Sequence, residues 1–565
     1  MSRAPYGLTF ETFSPVERSQ HLRADVALFV GFVAPRSTGA LRDPSSEEPL
    51  RDWLRRHGFD AQVDRLAEDE QRTAWRSVGT LAHVPVPIES WSTFDRLFAW
   101  DERPIARGTV ATSYLGAAVR SFFAQGGRKA YVVRAGRPSS KQGSVRGDAE
   151  KERLRRARLD RIRELRLWSL VPDAALSRPK GQTLPTPMDR STWRGVAHVF
   201  GLADVSFVLV PDLPDVLDAR PARQRPVPPS REEVFVTCSD EGASASEGLL
   251  AQIPPPACDA TSLERWAEVV SAAVSFLRRH RPEAQLLAAI PLVLEESSGG
   301  ARVSAESPLP RFLGERWLRP RQSSLGSTPP RFEPFTSAFL QLATPWVKTL
   351  GSANSPGEVE PPDGTLAGVL ARNALARGTF RSAASAPVPF VFDFAPDYSR
   401  SELLAPVDAP GSEQRQPLNL LQRVCVFGRA PSGIQLLSDV TTSADESYRS
   451  AGASRLVGAV LRAARAIGED MAFEASNEAV WSRVRGRFAA LLRELWEMRA
   501  LRGRSASEAF QVRCDRSTMT QADIDAGRMI VHVQMEIAVA VEAIRVVLSL
   551  TEGGRVALLS TERAS

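Results

Sequence analysis

The side chains most often recruited for chemistry are few in this sequence and poorly spaced for it. A P-loop sets Gly-Lys-Ser/Thr so that an ammonium meets phosphates cradled by backbone amides. None of the five lysines, Lys129, Lys141, Lys151, Lys180 and Lys348, follows a glycine, so nucleotide hydrolysis by that route is excluded. The six histidines, His21, His57, His83, His198, His280 and His532, never fall within five residues of one another, which removes HExxH and its relatives. Neither a GxSxG elbow nor a GxGxxG turn occurs. Cys238, Cys258, Cys425 and Cys514 lie far apart and form no CxxC, so reduced structural thiols are expected. The expectation is therefore no catalytic residue, no metal and no cofactor. A hydrolase-like site would need His198, Asp204, Ser206 and Asp212 to converge, and their spacing offers no support for that.

The elements that hold these side chains must form a folded chain of several units. At ~100 to 200 residues per domain, 565 residues suggest roughly three or four. Hydrophobic residues at 43% and charged residues at 24% exclude a disordered or fibrous chain. A net charge of +6 over this length is too dilute for a dedicated nucleic-acid binder. All but five of the 72 basic residues are arginine, which suits bidentate carboxylate pairing at interfaces and equally reflects GC-rich coding. Val26 to Ala34 has the apolarity of a signal core, but Glu11, Glu17 and Asp25 precede it and Pro35 follows, so it reads as a buried strand. No window reaches the ~18 apolar residues of a membrane span, and the chain is expected to assemble in the cytoplasm.

Along the chain, Pro5 to Phe13 alternates Tyr6, Leu8, Phe10 and Thr12 on one face, the period of a half-buried strand. His83 to Ile88 carries two prolines and reads as an edge strand. Ser90 to Trp100 gives a short amphipathic helix. Tyr114 to Gly127 sets Leu115, Ala118, Val119, Phe122 and Phe123 on one helical stripe, stopped by Gly126-Gly127 before the strand Lys129 to Arg134. Residues 148 to 168 place Leu154, Leu159, Ile162 and Leu165 among eight Lys/Arg and three acids between 151 and 166. That pattern is a solvated helix face or a site for an acidic partner. Val205 to Val210 and Gln285 to Leu292 read as buried strands flanking the helix Leu263 to His280, a β-α-β arrangement typical of a parallel sheet. Stretches 219 to 231 and 295 to 332 read as linkers.

Near the C-terminus, Ser454 to Ile467 presents Val457, Val460, Leu461, Ala464 and Ile467 on one side. Asn477 then caps a long helix carrying Trp481, Val484, Phe488, Leu491, Leu495 and Met498. Ala509 to Asp515 and Met529 to Met535 read as strands around the turn-like Thr520 to Gly527. Ala543 to Leu550 and Arg555 to Leu559 add strands at the end.

Taken in order, these motifs resemble the contractile tail sheath proteins of phages, R-type bacteriocins and phage-like contractile injection systems. The resemblance runs through PYGLTFETF with ADVALFVGFVAPR, YLGAAVRSFFAQGGRKAYVVR, TPWVKT at Thr344 to Thr349, and PPDGTLAGVLARNALARGTF at Pro361 to Phe380. It is strongest in SRLVGAVLRAARAIGEDMAFEASNEAVWSRVRGRFAALLRELWEMRALRG, EAFQVRCD and TQADIDAGRMIVHV. Two places depart from the family pattern: Leu436 to Thr442 (LLSDVTT) replaces Trp-Gly-Ala-Arg-Thr, and Ala540-Val541-Glu542 replaces Pro-Ala-Glu.

The resemblance implies an α/β (α+β) multidomain chain: a linking arm at 1–22, an N-terminal α/β part at 23–140, a basic helical insertion at 141–195, a central α/β domain at 196–415, and a C-terminal sheath core at 416–565 with two helices packed on a mixed sheet. It implies a structural subunit, not an enzyme, that polymerises helically around an inner tube and contracts to drive it through an envelope without nucleotide hydrolysis during firing. A non-contractile tail or baseplate component with the same core is the alternative. The implied partners are further copies in stacked hexameric rings, the inner tube protein, and baseplate and terminator or cap proteins, with no membrane insertion and no direct nucleic-acid contact. The terminal strands pair either within the subunit or, as the resemblance implies, with neighbours through Tyr6, Leu8, Phe10 and Phe13 and through Ile544, Val546 and Leu548. The polar face of the long helix, Arg483, Arg487, Arg493, Glu494 and Glu497, is the candidate tube-contacting surface.

Overall fold

In the computed structural model, residues 23–36, 81–106, 109–138, 149–173, 176, 178–219, 253–297, 300–303, 336–405, 419–443, 446–471, 474, 477–525, 529–538, 544–551 and 555–563 are described. All seven residues of strand β1 (Val26–Phe32) are buried, which requires cover on both faces. Alternation within it sends Val26, Leu28, Val30 and Phe32 into one apolar cluster and Ala27 and Phe29 into another.

The strand sits inside an eight-stranded sheet with β2 (Val86–Ile88), β3 (Lys129–Gly136), β4 (Phe207–Leu209), β5 (Gln285–Ala289), β6 (Leu340–Thr344), β7 (Cys425–Ala430) and β8 (Gly433–Leu436). The order is β8-β7-β6-β5-β4-β1-β3-β2. Pairing from β7 through to β3 is parallel, while β8 and β2 run antiparallel at the two margins. The two-proline segment is thus an edge strand, as its composition predicts, with Pro87 opposite Tyr131. At the other margin, residues 385–388 lie along β8: the Ser385 and Val388 amides donate to the Leu436 and Ile434 carbonyls at 2.7 and 3.0 Å.

Helices cover both faces. One carries α1 (Trp91–Leu97), α2 (Tyr114–Ala124) and α5 (Asp363–Arg377), through Phe94, Leu115, Phe122, Leu366 and Leu370. The other carries α3 (Ala149–Leu170) and α4 (Ala260–His280), through Trp168, Leu263, Trp266 and Phe276. Helix α2 starts where the Ser113 hydroxyl accepts from the Gly116 amide at 3.2 Å. It stops where Gly126 takes φ 103°, a left-handed value that lets the Gly127 amide turn back to the Phe122 carbonyl. Strand β4, helix α4 and strand β5 form the expected β-α-β unit, with β4 and β5 parallel.

Two findings differ from the sequence reading. The sheet takes strands from 23–140, from 196–415 and from the first part of 416–565, so these segments share one body; strand pairing across such distances leaves no mark on local composition. Part of the 295–332 linker is a hairpin, Leu292–Ser297 with Gly300–Val303. As the solvated-face reading expects, Leu154, Leu159, Ile162 and Leu165 of α3 stand exposed, while buried Leu167, Trp168 and Leu170 fix its C-terminal end.

Candidate assembly interface

Two helices follow the body, α6 (Ala451–Asp470) and α7 (Glu478–Glu497). Of the expected apolar side of α6, Val460 is buried and Ala464 and Ile467 pack against the cluster of Val480, Val484 and Phe488, but Leu461 is turned outward. Leu456, Ala459, Val460 and Ala463 form its buried apolar stripe, and Leu461 is exposed. The reason lies in the arginines. Arg455 and Arg462, two turns apart, are buried at the side that meets the body.

Arg455 makes a two-pronged ion pair with Asp439, at 2.6 and 2.9 Å, and Asp439 also accepts from the Ala383 amide and the Gln341 side chain. Burial pushes the Asp439 carboxyl up, but Arg455 and these hydrogen bonds outweigh it and hold it below the usual carboxylate range. Arg462 donates to the Glu283 carbonyl at 2.9 Å and the Arg23 carbonyl at 2.7 Å. Those two residues precede β5 and β1, so α6 crosses the N-terminal ends of the parallel strands. Burial lowers the Arg462 pKa to about 10. Arg281 and Arg465 converge on the Glu283 carboxylate, at 3.0 and 2.9 Å. Close approach is possible because residue 458 is glycine: a Cβ there would stand 2.8 Å from the Glu283 carbonyl oxygen.

Helix α7 begins where Asn477 Oδ1 accepts from the Val480 amide at 3.0 Å, as its sequence predicts. Trp481, Val484, Phe488, Leu491 and Leu495 are buried along the predicted stripe, and Met498 caps the helix half-buried. The pair β9 (Phe510–Arg513) and β10 (His532–Met535), antiparallel, packs on it through Val512 and Val533. On the opposite side Arg483, Arg487, Arg493 and Glu497 are exposed and Glu494 is half-buried. Arg483 pairs with Glu474 at 2.7 Å and Arg487 with Asp470 at 2.8 Å, so these two lie over the α6–α7 junction.

The chain ends in a separate hairpin, β11 (Ile544–Thr551) with β12 (Arg555–Arg563), in which Ile544, Val546 and Leu548 stand opposite Arg563, Thr561 and Leu558. Among the described residues it joins no other sheet. The N-terminal arm positions Tyr6, Leu8, Phe10 and Phe13 lie outside the described residues.

The four members of the alternative enzyme site do not meet. Asp204 and Ser206 precede β4, and Asp212 follows it at the opposite end. Asp204 accepts from Lys129 at 2.7 Å, Asp212 accepts from the Phe32 amide at 2.6 Å, and His198 lies edge-on to Trp193. Among the described residues no helix is long and apolar enough to cross a membrane. Sequence reasoning missed Asp439 and Glu283 as the anchors of α6. The available signal was the row Arg455, Arg462 and Arg465 within an otherwise apolar helix.

No family model matches this chain. No curated protein matches it either. Among solved structures it is similar to a chain of the anti-feeding prophage baseplate in the contracted state, at 16% identity and a TM-score of 0.52, covering 97% of this chain and 99% of that one. It also matches a chain of the contracted helical sheath of the same prophage, at 17% identity and a TM-score of 0.47, covering 98% and 100%. A sheath tail protein from Desulfitobacterium hafniense matches at 11% identity and a TM-score of 0.38, covering 94% and 100%. The likeness is one of fold, a mixed α/β multidomain architecture shared with the baseplate chain over nearly its whole length.

Proposed function

We propose that this chain is a structural subunit of a contractile sheath. The observation that carries the reading is the terminal hairpin, which pairs only with itself among the described residues and so offers free strand edges. Such edges are docking sites for strand addition. A subunit that lends one segment to the next copy makes a heterologous contact, and repetition without closure gives a helical filament. The motif order quoted above supports the same conclusion. Backbone hydrogen bonds of exchanged strands hold neighbours together while the bodies rotate and repack.

On this reading the extended sheath is kinetically trapped, and contraction buries more subunit surface at ~25 cal/mol per Å² of apolar area. A gain of about a few kcal/mol per subunit, summed over the assembly, drives the tube without nucleotide hydrolysis. The partners are further copies in stacked rings, an inner tube protein, and baseplate and cap proteins, assembled in the cytoplasm. The protein has no catalytic role on this reading.

The alternative, a non-contractile baseplate component with the same core, draws support from the baseplate chain that shares the fold. Electron microscopy of the purified protein, alone and with its tube protein, separates the two. Long helical tubes support the sheath reading, and discs without tubes support the alternative.

A further inference from the structure

The seam between α2 and α5 holds carboxyl groups that make no ion pair among the described residues. Asp363, the first residue of α5, is 1% exposed, and Glu360, three residues earlier, is 0% exposed. One oxygen of each is engaged: Asp363 Oδ1 accepts from the Gly364 amide at 3.0 Å, and Glu360 Oε1 accepts from the Ser121 hydroxyl of α2. The other oxygens, Asp363 Oδ2 and Glu360 Oε2, are buried without a hydrogen-bond partner among the described residues. The two helices approach closely beside this pair: a Cβ on Gly364 would stand 2.4 Å from the Ala118 carbonyl oxygen.

An ionised carboxylate left unpaired in such a place costs far more than the neutral acid, whose desolvation penalty is that of an uncharged polar group. We propose that Glu360 and Asp363 stand in the folded protein as neutral carboxylic acids and form a proton-dependent lock on the α2–α5 seam. Raising the pH draws these protons off and loosens the seam.

The groups that face the pair are few. Arg120 of α2 and the Ser121 and Thr349 hydroxyls favour ionisation of Glu360 but are outweighed by burial, which pushes it up to about 7. Burial pushes Asp363 up to about 8 against the Gly364 amide, and the nearby Glu360 and Asp212 add to the rise. Asp212 is itself pushed up to about 7 by burial, with Asp215 beside it and the Phe32 amide, Arg103 and Arg166 opposing. Arg103 is committed to Asp215 at 2.7 Å, which leaves it unavailable to Asp363. The sign is that of acids whose folded pKa exceeds the unfolded one. Their contribution is complete below about pH 4 and is lost as pH rises through about 7 to 8.

The test is urea denaturation of the full chain between about pH 6 and about pH 9, compared with Glu360→Gln/Asp363→Asn, whose amides keep the acceptor oxygens. The folding equilibrium constant of the parent is expected to fall about tenfold or more across that range, and the double variant to lose most of that fall. An unchanged fall in the variant, or none in the parent, overturns the lock. Should the double variant not fold, infrared difference spectra of the parent decide: a protonated-carboxyl band that bleaches across the same range supports the lock, and its absence at the acid end overturns it.

Discussion

The Arg455 guanidinium grips both oxygens of Asp439 across the junction of α6 with the sheet, and both side chains are almost completely buried. Neither charge has a route to water. Replacing Arg455 with methionine therefore leaves a bare carboxylate, at a cost of about 3 to 5 kcal/mol in urea denaturation. The double variant Arg455→Met/Asp439→Leu is expected to recover most of that loss. Equal instability of single and double variants would show that packing, not charge, governs the site.

His83 and His198 give the protein an acid limit. Burial, with Arg194 and Arg134 beside it, lowers His83 to about 4, and burial with His83 and Arg194 nearby lowers His198 to about 3. Because the folded values lie below the ordinary 6.5, their contribution is present above that value and lost as pH falls towards 4. The melting temperature is expected to fall between pH 6.5 and 4, and His198→Gln to make that fall shallower. A melting temperature that stays level over this interval contradicts the assignment.

Reversing charge on the outer side of α7 separates stability from assembly. Arg483 and Arg487 are 50% and 43% exposed, and their ion pairs are solvated. The double variant Arg483→Glu/Arg487→Glu is expected to change unfolding free energy by no more than about 1 kcal/mol. If this side rests on the tube, the variant no longer cosediments with tube protein while its circular dichroism is unchanged. Normal cosedimentation moves the contact elsewhere.

Removing the ends tests strand exchange. Chains lacking residues 1–13, or lacking 544–565, are expected to remain soluble and folded, sediment as monomers, and form no long helical tubes by electron microscopy. Tubes of normal length from either truncation would remove that end from the assembly contacts.

The elements that pattern dictates were legible in the sequence. Pro85 and Pro87 marked an edge strand, Gly126-Gly127 marked a helix end, and Asn477 marked a helix start, because each acts locally, through its own backbone or on an amide three residues on. What depends on distant partners was not legible. Leu461, read as part of the apolar face of α6, is turned outward because Arg455 and Arg462 find acceptors in Asp439, across a turn, and in the Glu283 carbonyl, more than a hundred residues away. The membership of β7 and β8 in the large sheet was hidden for the same reason. Within the candidate interface, the spacing in α7 predicted its buried stripe, while Asp439 and Glu283 carried no local sign of their role.

The large sheet has a consequence for how copies of this chain can meet. Pro87 on one rim offers no amide to an incoming strand, and the 385–388 segment already occupies hydrogen-bonding positions on the other. The body therefore behaves as a finished tile. Copies of it can crowd together at high local concentration without fusing into continuous β-structure, a rim chemistry that guards against runaway aggregation.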